Sequence, residues 1–154
     1  PDFLHQLYKE SVAFAKKCSK NNYKAAIRLN GTSDISWEKI YPELFNINNI
    51  QWYDYTKNYK RMLKYLSGKF PPNYHLTFSR SEINDVESED ILAKGGSVAY
   101  VFNRKIEMPE KYKGYNVYGG EEDDLRFWDG KGVIALKAKG RARKDNTGFV
   151  INII

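Results

Sequence analysis

The feature that most constrains this chain is an alternation of strand-like and helix-like segments between residues 23 and 102, repeated three times at intervals of about 25 residues. Tyr23–Asn30 reads as the first strand and is stopped by Gly31. A helix carrying Trp37, Ile40, Tyr41, Leu44 and Phe45 follows, with Ser33 or Ser36 as its cap. Ile50–Tyr55 is a second strand by its aromatic and β-branched content. Asn58 starts a helix with Met62, Leu63 and Leu66 turned inward, which ends at Gly68. Pro71-Pro72 then forces extended backbone into a third strand, Tyr74–Phe78. A short acidic helix over 86–94, halted by Gly95-Gly96, leads to a fourth strand, Ser97–Phe102. Strands joined through helices pair in parallel by right-handed crossovers, so the fold class is α/β, built of βαβ units with a mostly parallel sheet.

Before this repeat, Phe3, Leu7, Phe14 and Cys18 fall on one face of a helix over about 3–20. After it, the rhythm becomes β-rich. Tyr115–Tyr118 and Gly132–Leu136 are short strands, and Phe149–Ile154 is expected to pair with the latter across the turn sequence Asp145–Gly148. With 154 residues the chain suits one domain, 1–154. Its apolar runs fall short of the ~20 residues a membrane helix needs, and no signal segment opens it, so a soluble protein of the bacterial cytosol is expected. One cysteine excludes an internal disulfide, and two distant histidines, His5 and His75, argue against a zinc site. No phosphate-binding P-loop or nucleophile–histidine–acid order is present, and no cofactor or metal is expected.

The net charge of +6 is unevenly distributed: residues 1–80 carry +7, residues 81–129 carry −6 and residues 130–154 carry +5. A basic balance favours a polyanionic partner. In parallel sheets ligands bind beyond the carboxyl ends of the strands, so the residues that follow each strand form the candidate site. These include a polar rim of Asn30, Thr32, Ser33, Ser79 and Ser81, the anion holders Lys57 and Arg80, and the acid–base candidates Asp34, Asp54 and Glu82. Plain loop polarity is the competing account of the same residues. Within Lys137–Arg143 the cations Lys137, Lys139, Arg141 and Arg143 alternate with small residues, so an extended chain would present all four on one face, spaced for phosphates. The competing account is neutralisation by Glu121, Glu122, Asp123 and Asp124. The aromatic run Trp52–Lys57 either stacks bases or, as aromatics more often do, fills the core.

The blocks Ile27–Glu38, Tyr53–Lys57, Tyr74–Glu82, Asp124–Phe127 and Leu136–Arg143, in that order, resemble the gene product 88-like proteins of bacteriophages and plasmids over about residues 23–151. The order is also similar, more loosely, to the later strands of radical-SAM-like phage proteins, which implies a partial, half TIM-like barrel with a β-rich carboxyl-terminal end. Members of the family carry a cysteine-rich amino-terminal segment that is not in this sequence. The expectation is therefore the later part of a longer fold, either trimmed or naturally shortened, with no iron–sulfur chemistry to carry over. A phage origin favours nucleic-acid transactions and interference with host defence, and three functions are expected in order of preference. The first is a non-catalytic protein that engages nucleic acid (RNA or single-stranded DNA) or a host nucleoprotein through its basic face. The second is an anti-CRISPR-like inhibitor of a host defence nuclease, acting by protein contact. The third is an enzyme acting on a nucleotide or phosphorylated ligand at the strand-end rim.

Overall fold

The computed structural model describes residues 2–153. Helix α1 (Asp2–Lys20) buries Ser11 and Ala15, with Leu4, Leu7, Tyr8, Val12 and Cys18 packed beside them. Phe3 and Phe14, expected inside, stand exposed. At about 100° per residue they lie roughly 100° or more around the helix from Ala15, on the shoulder of the buried face. Strand β1 (Ala25–Arg28) leads to α2 (Trp37–Ile40). The single helix read from the sequence here is split, because Pro42 disfavours helical backbone at Tyr41 and the chain restarts as a 3-10 helix, Pro42–Asn46. Strand β2 (Ile50–Thr56) is followed by α3 (Tyr59–Leu66), whose first turn is capped by the Asn58 side chain accepting from Arg61 N. Then come β3 (Tyr74–Ser79), α4 (Asp85–Ala93) and β4 (Val98–Phe102), close to their expected bounds.

The remaining strands are β5 (Lys111–Tyr112), β6 (Tyr115–Gly119), β7 (Val133–Lys137) and β8 (Val150–Ile151). Strand β5, absent from the sequence reading, pairs antiparallel with β6 through a tight turn in which Lys113 and Gly114 take left-handed φ of 51° and 84°. Every other pairing is parallel, in an eight-stranded sheet ordered β1-β2-β3-β4-β7-β6-β5, with β8 off this path beside β4. The fold is thus mixed α/β with a mostly parallel sheet. The sheet is not closed, since β1 and β5 stand at its two ends. No helix among the described residues is long and apolar enough to cross a membrane.

The expected hairpin between the tail and β7 does not form. Both edges of β7 are taken by β4 and β6, and β8 instead lies parallel to β4, with Val150 opposite Val101. It finds room there because β3 pairs with only the first two residues of β4, Val98 and Ala99, and leaves the rest of that edge open. Two apolar cores result. One joins Met62, Leu76, Phe78, Ile91, Tyr100, Phe102 and Val133 between the sheet and α3 and α4. The other joins Ala15, Leu44, Phe45, Ile50 and Trp52 beneath α1 and the 3-10 helix.

Candidate functional site

Seven strands run parallel, so their carboxyl ends share one edge and the residues that follow them lie along one rim, as the sequence implied. At the β1–β3 end most of those residues are engaged internally. Asn30 is buried; its Oδ1 accepts from Ser33 Oγ at 2.9 Å and Trp37 Nε1 at 3.1 Å. Its backbone N donates to Asp54 Oδ1 at 2.7 Å, and the Tyr74 hydroxyl donates to Asp54 Oδ2 at 2.5 Å. Arg61 Nη2 donates to that hydroxyl at 2.8 Å and to Glu38 Oε2 at 2.9 Å, while Nη1 reaches Asp34 Oδ1 at 3.2 Å. Asp34 also accepts from Thr56 Oγ1 at 2.7 Å and Lys57 N at 2.8 Å. The two acid–base candidates Asp34 and Asp54 are therefore linked through Arg61 and Tyr74, neither of which the sequence singled out. Burial pushes the Asp54 carboxyl above its usual range, against the opposing pull of Tyr74 and Asn30. Its oxygens are occupied by these donors. Thr32, Ser33, Asp34 and Lys57 are nevertheless exposed.

Arg80, expected to hold an anion, is buried and committed to the fold. Nε and Nη2 donate to the two Asp85 oxygens at 2.7 and 2.9 Å, and Nη1 donates to the carbonyls of Gly148 and Phe149 at 2.5 and 2.9 Å. It clips the start of β8 to the end of β3. The neighbouring Ser79 carbonyl and Ser81 N–H are satisfied by the Asn84 side chain. Glu82 is exposed and forms no ion pair among the described residues.

The row of four cations does not form either. Gly140, at φ 54°, turns the chain out of the extended line and into a 3-10 helix, Gly140–Lys144. The expected internal neutralisation holds in part. Glu121 pairs with Lys139 at 2.9 Å and accepts from Lys137 N at 2.6 Å, contacts that hold its carboxyl below the usual range. Asp123 pairs with Arg126, and Asp124 with Arg28 at 3.5 Å. Glu122 forms no ion pair among the described residues.

What remains is a different cluster at the carboxyl ends of β4, β7 and β8. A cavity of about 280 Å³ opens there between Asn103, Arg104, Lys105, Arg143, Asp145 and Asn152. Arg141 and Lys144 stand on the same 3-10 helix as Arg143. These five cations are exposed and form no ion pair among the described residues. The one carboxylate lining the cavity, Asp145, is occupied by Thr147 Oγ1 and Val150 N. Arg104 follows the fourth strand and so belonged to the strand-end rim expected from the sequence, whereas Lys105, one residue further on, escaped that reading. The signal for Lys105 was the same, its place just after β4.

The sheet face turned away from the helices carries Tyr53, Tyr55, His75 and Thr77, alternating with the core residues of β2 and β3. The segment 120–131 crosses it, with Phe127 packed 5.5 Å from Tyr53. Trp52, by contrast, is core. The aromatic run thus divides between the two faces. Burial and nearby Arg126 lower the His75 pKa from 6.5 to about 4. The folded protein keeps this imidazole neutral where the unfolded chain protonates it, so its contribution to stability is present above pH 6.5 and is lost as pH falls towards about 4. Urea denaturation across that window is expected to show a decline that His75→Gln reduces. A cavity of about 930 Å³ lies elsewhere, at the amino-terminal end of β1–β3, and touches none of the expected site residues.

No curated protein and no solved structure is detectably similar to the chain. A family model does match it, that of gene product 88, over residues 1–153. The match spans the blocks on which the resemblance was first seen, so the chain belongs to the gene product 88 family.

Proposed function

We propose that this gene product 88 protein binds single-stranded nucleic acid, RNA or DNA, in the bacterial cytosol through the basic cavity at the carboxyl ends of β4, β7 and β8. The observation that supports this reading is a cavity lined by Arg104, Lys105 and Arg143, with Arg141 and Lys144 on the same 3-10 helix as Arg143, five cations that form no ion pair among the described residues, while the carboxylate in the lining, Asp145, is already hydrogen-bonded. Unpaired guanidinium groups beside amides suit phosphate oxygens, which they hold through charge-assisted hydrogen bonds. Three of these cations line a concavity, which a flexible strand can follow more readily than the convex backbone of a duplex. An open parallel sheet crossed by the 120–131 segment also supports the partial-barrel reading, in which ligands meet the strand carboxyl ends.

The test is fluorescence anisotropy with labelled single-stranded RNA, single-stranded DNA and duplex DNA over a salt series. Binding is expected to weaken steeply with salt, with single strands preferred. Arg104→Glu with Arg143→Glu is expected to weaken it at least about tenfold and flatten the salt slope, whereas Lys139→Ala, which removes a cation already paired with Glu121, changes little. No salt-sensitive binding at low ionic strength would overturn the proposal.

One observation favours inhibition of a host nuclease by protein contact as a second reading. Ile83 and Val86 stand 87% and 81% exposed, flanked by Glu82, Asp85 and Glu87, an acidic and apolar patch suited to a basic partner. Glu121, Asp123 and Asp124, acidic residues elsewhere on the chain, are paired internally and do not add to this patch. Co-purification with a nuclease that Ile83→Asp abolishes would favour this reading over the first. The enzyme reading draws no support from Asp34 and Asp54, whose oxygens serve the buried network.

A further inference from the structure

Residues 57–69 carry five cations, Lys57, Lys60, Arg61, Lys64 and Lys69, and no carboxylate. Arg61 is committed to the buried network, but the four lysines are exposed and form no ion pair among the described residues. At about 100° per residue, Lys60 and Lys64 each stand about 160° around α3 from the buried Met62, so they share its solvent face. Like charges at this spacing of four residues repel and weaken a helix. Helix α4 uses the same spacing favourably, pairing Asp90 with Lys94. A merely solvated face intersperses its signs, so an unrelieved row of lysines points to an anionic partner.

The surroundings give this face a shape. A cavity of about 500 Å³ opens beside the end of α3, lined by Lys39 of α2 together with Lys64, Lys69 and Phe70. The carboxylate in its lining, Glu38, is already held by Arg61 at 2.9 Å. Lys57 begins the row at the carboxyl end of β2, on the same rim as the basic cavity. From there α3 runs about 12 Å back towards the amino-terminal edge of the sheet. Strand β2 lies two places from β4, about 10 Å along the rim, with the exposed Glu82 after β3 between them. A chain of phosphates is therefore gripped on either side of Glu82. Lysine offers a compact charge without a fixed fork, which suits successive phosphates of a mobile strand rather than one defined group. We infer that Lys57, Lys60, Lys64, Lys69 and Lys39 form a second phosphate-binding segment, which takes the continuation of a single strand held at the basic cavity. The inference rests on the nucleic-acid reading for its ligand, but its residues are distinct from those of that cavity.

Anisotropy with a labelled single-stranded RNA of about 20 nucleotides, over a salt series, tests it. One strand per protein is expected. Lys60→Gln with Lys64→Gln is expected to weaken binding about tenfold and to lower the salt slope by about 1.4, since each phosphate contact with a single strand contributes about 0.7. Removing this like-charge pair leaves the thermal midpoint no lower than that of the wild type, which separates lost binding from lost folding. Lys9→Gln with Lys16→Gln takes the same charge from the exposed side of α1 and is expected to change the slope little. A slope that the α3 pair leaves unchanged, or that both pairs lower equally, would overturn the inference and leave the basic cavity standing. So would two strands bound per protein. A slope lowered by the α3 pair but not by Arg104→Glu with Arg143→Glu would uphold the lysine row and overturn the basic cavity. Binding to phosphatidylserine vesicles but to no oligonucleotide would overturn both.

Discussion

Replacing Arg61 by Met is expected to destabilise the protein by about 3–5 kcal/mol, the range found when one partner of a buried ion pair is removed. The Arg61 side chain is 1% exposed and Glu38 8%. Without the guanidinium, Glu38 is left buried and unpaired, Asp34 loses a donor, and the Tyr74 hydroxyl is left donating to Asp54 with nothing donating to it. Helices α2 and α3, strand β3 and the loop after β1 meet at this one side chain, and β2 joins them through Tyr74 and Asp54, so the loss is not local. Lysine is no substitute, because a point charge cannot fork between a carboxylate and a hydroxyl. Urea denaturation measures the effect, and adding Glu38→Leu to Arg61→Met is expected to recover part of it by removing the stranded charge. A loss below about 1 kcal/mol would show that water readily replaces the guanidinium.

Arg80→Met is the second large effect. It is expected to cost about 2–3 kcal/mol, the scale of hydrogen bonds to a charged group, and to act mainly on the carboxyl-terminal segment. Asp85 is half exposed and can be rehydrated, but the Gly148 and Phe149 carbonyls lose their donor, and β8 is held otherwise by only two register pairs with β4. Hydrogen exchange at Val150 and at Asn103, whose N–H donates to the Ile151 carbonyl, should accelerate more than exchange in β2 and β3. The substitution also separates two roles for Arg80. If it clips β8 in place, as the geometry shows, its removal loosens the basic cavity through Asp145 and Val150. If it held phosphate directly, the salt slope would fall without any change in exchange.

The sequence yielded the local structure readily and the long-range structure poorly. Parallel strands buried on both faces read as apolar runs, and Asn58, Gly68 and Gly95 punctuated the helices where the structure uses them. The tail was misplaced because hairpin turn chemistry is local, whereas the choice of β4 over β7 depends on which edges other strands have taken. The rim was legible as topology, but its occupants were not. Nothing local to Asp34, Asp54 or Arg80 announces that a carboxylate or guanidinium is consumed by partners 20 or more residues away. Arg61 left one trace, a cation beside Met62 on the inward side of an amphipathic helix. The expected row of cations failed on a single backbone angle, that of Gly140.

The position of β8 bears on the order of events during synthesis. Strand β4 can recruit β3 as soon as both have left the ribosome, but the other half of its edge waits about 50 residues for Val150 and Ile151. The cavity between Arg104, Lys105 and Arg143 has β8 as one of its walls. A nascent chain therefore carries these cations without the concavity that organises them, and it acquires its proposed grip on a nucleic acid only when the final strand docks.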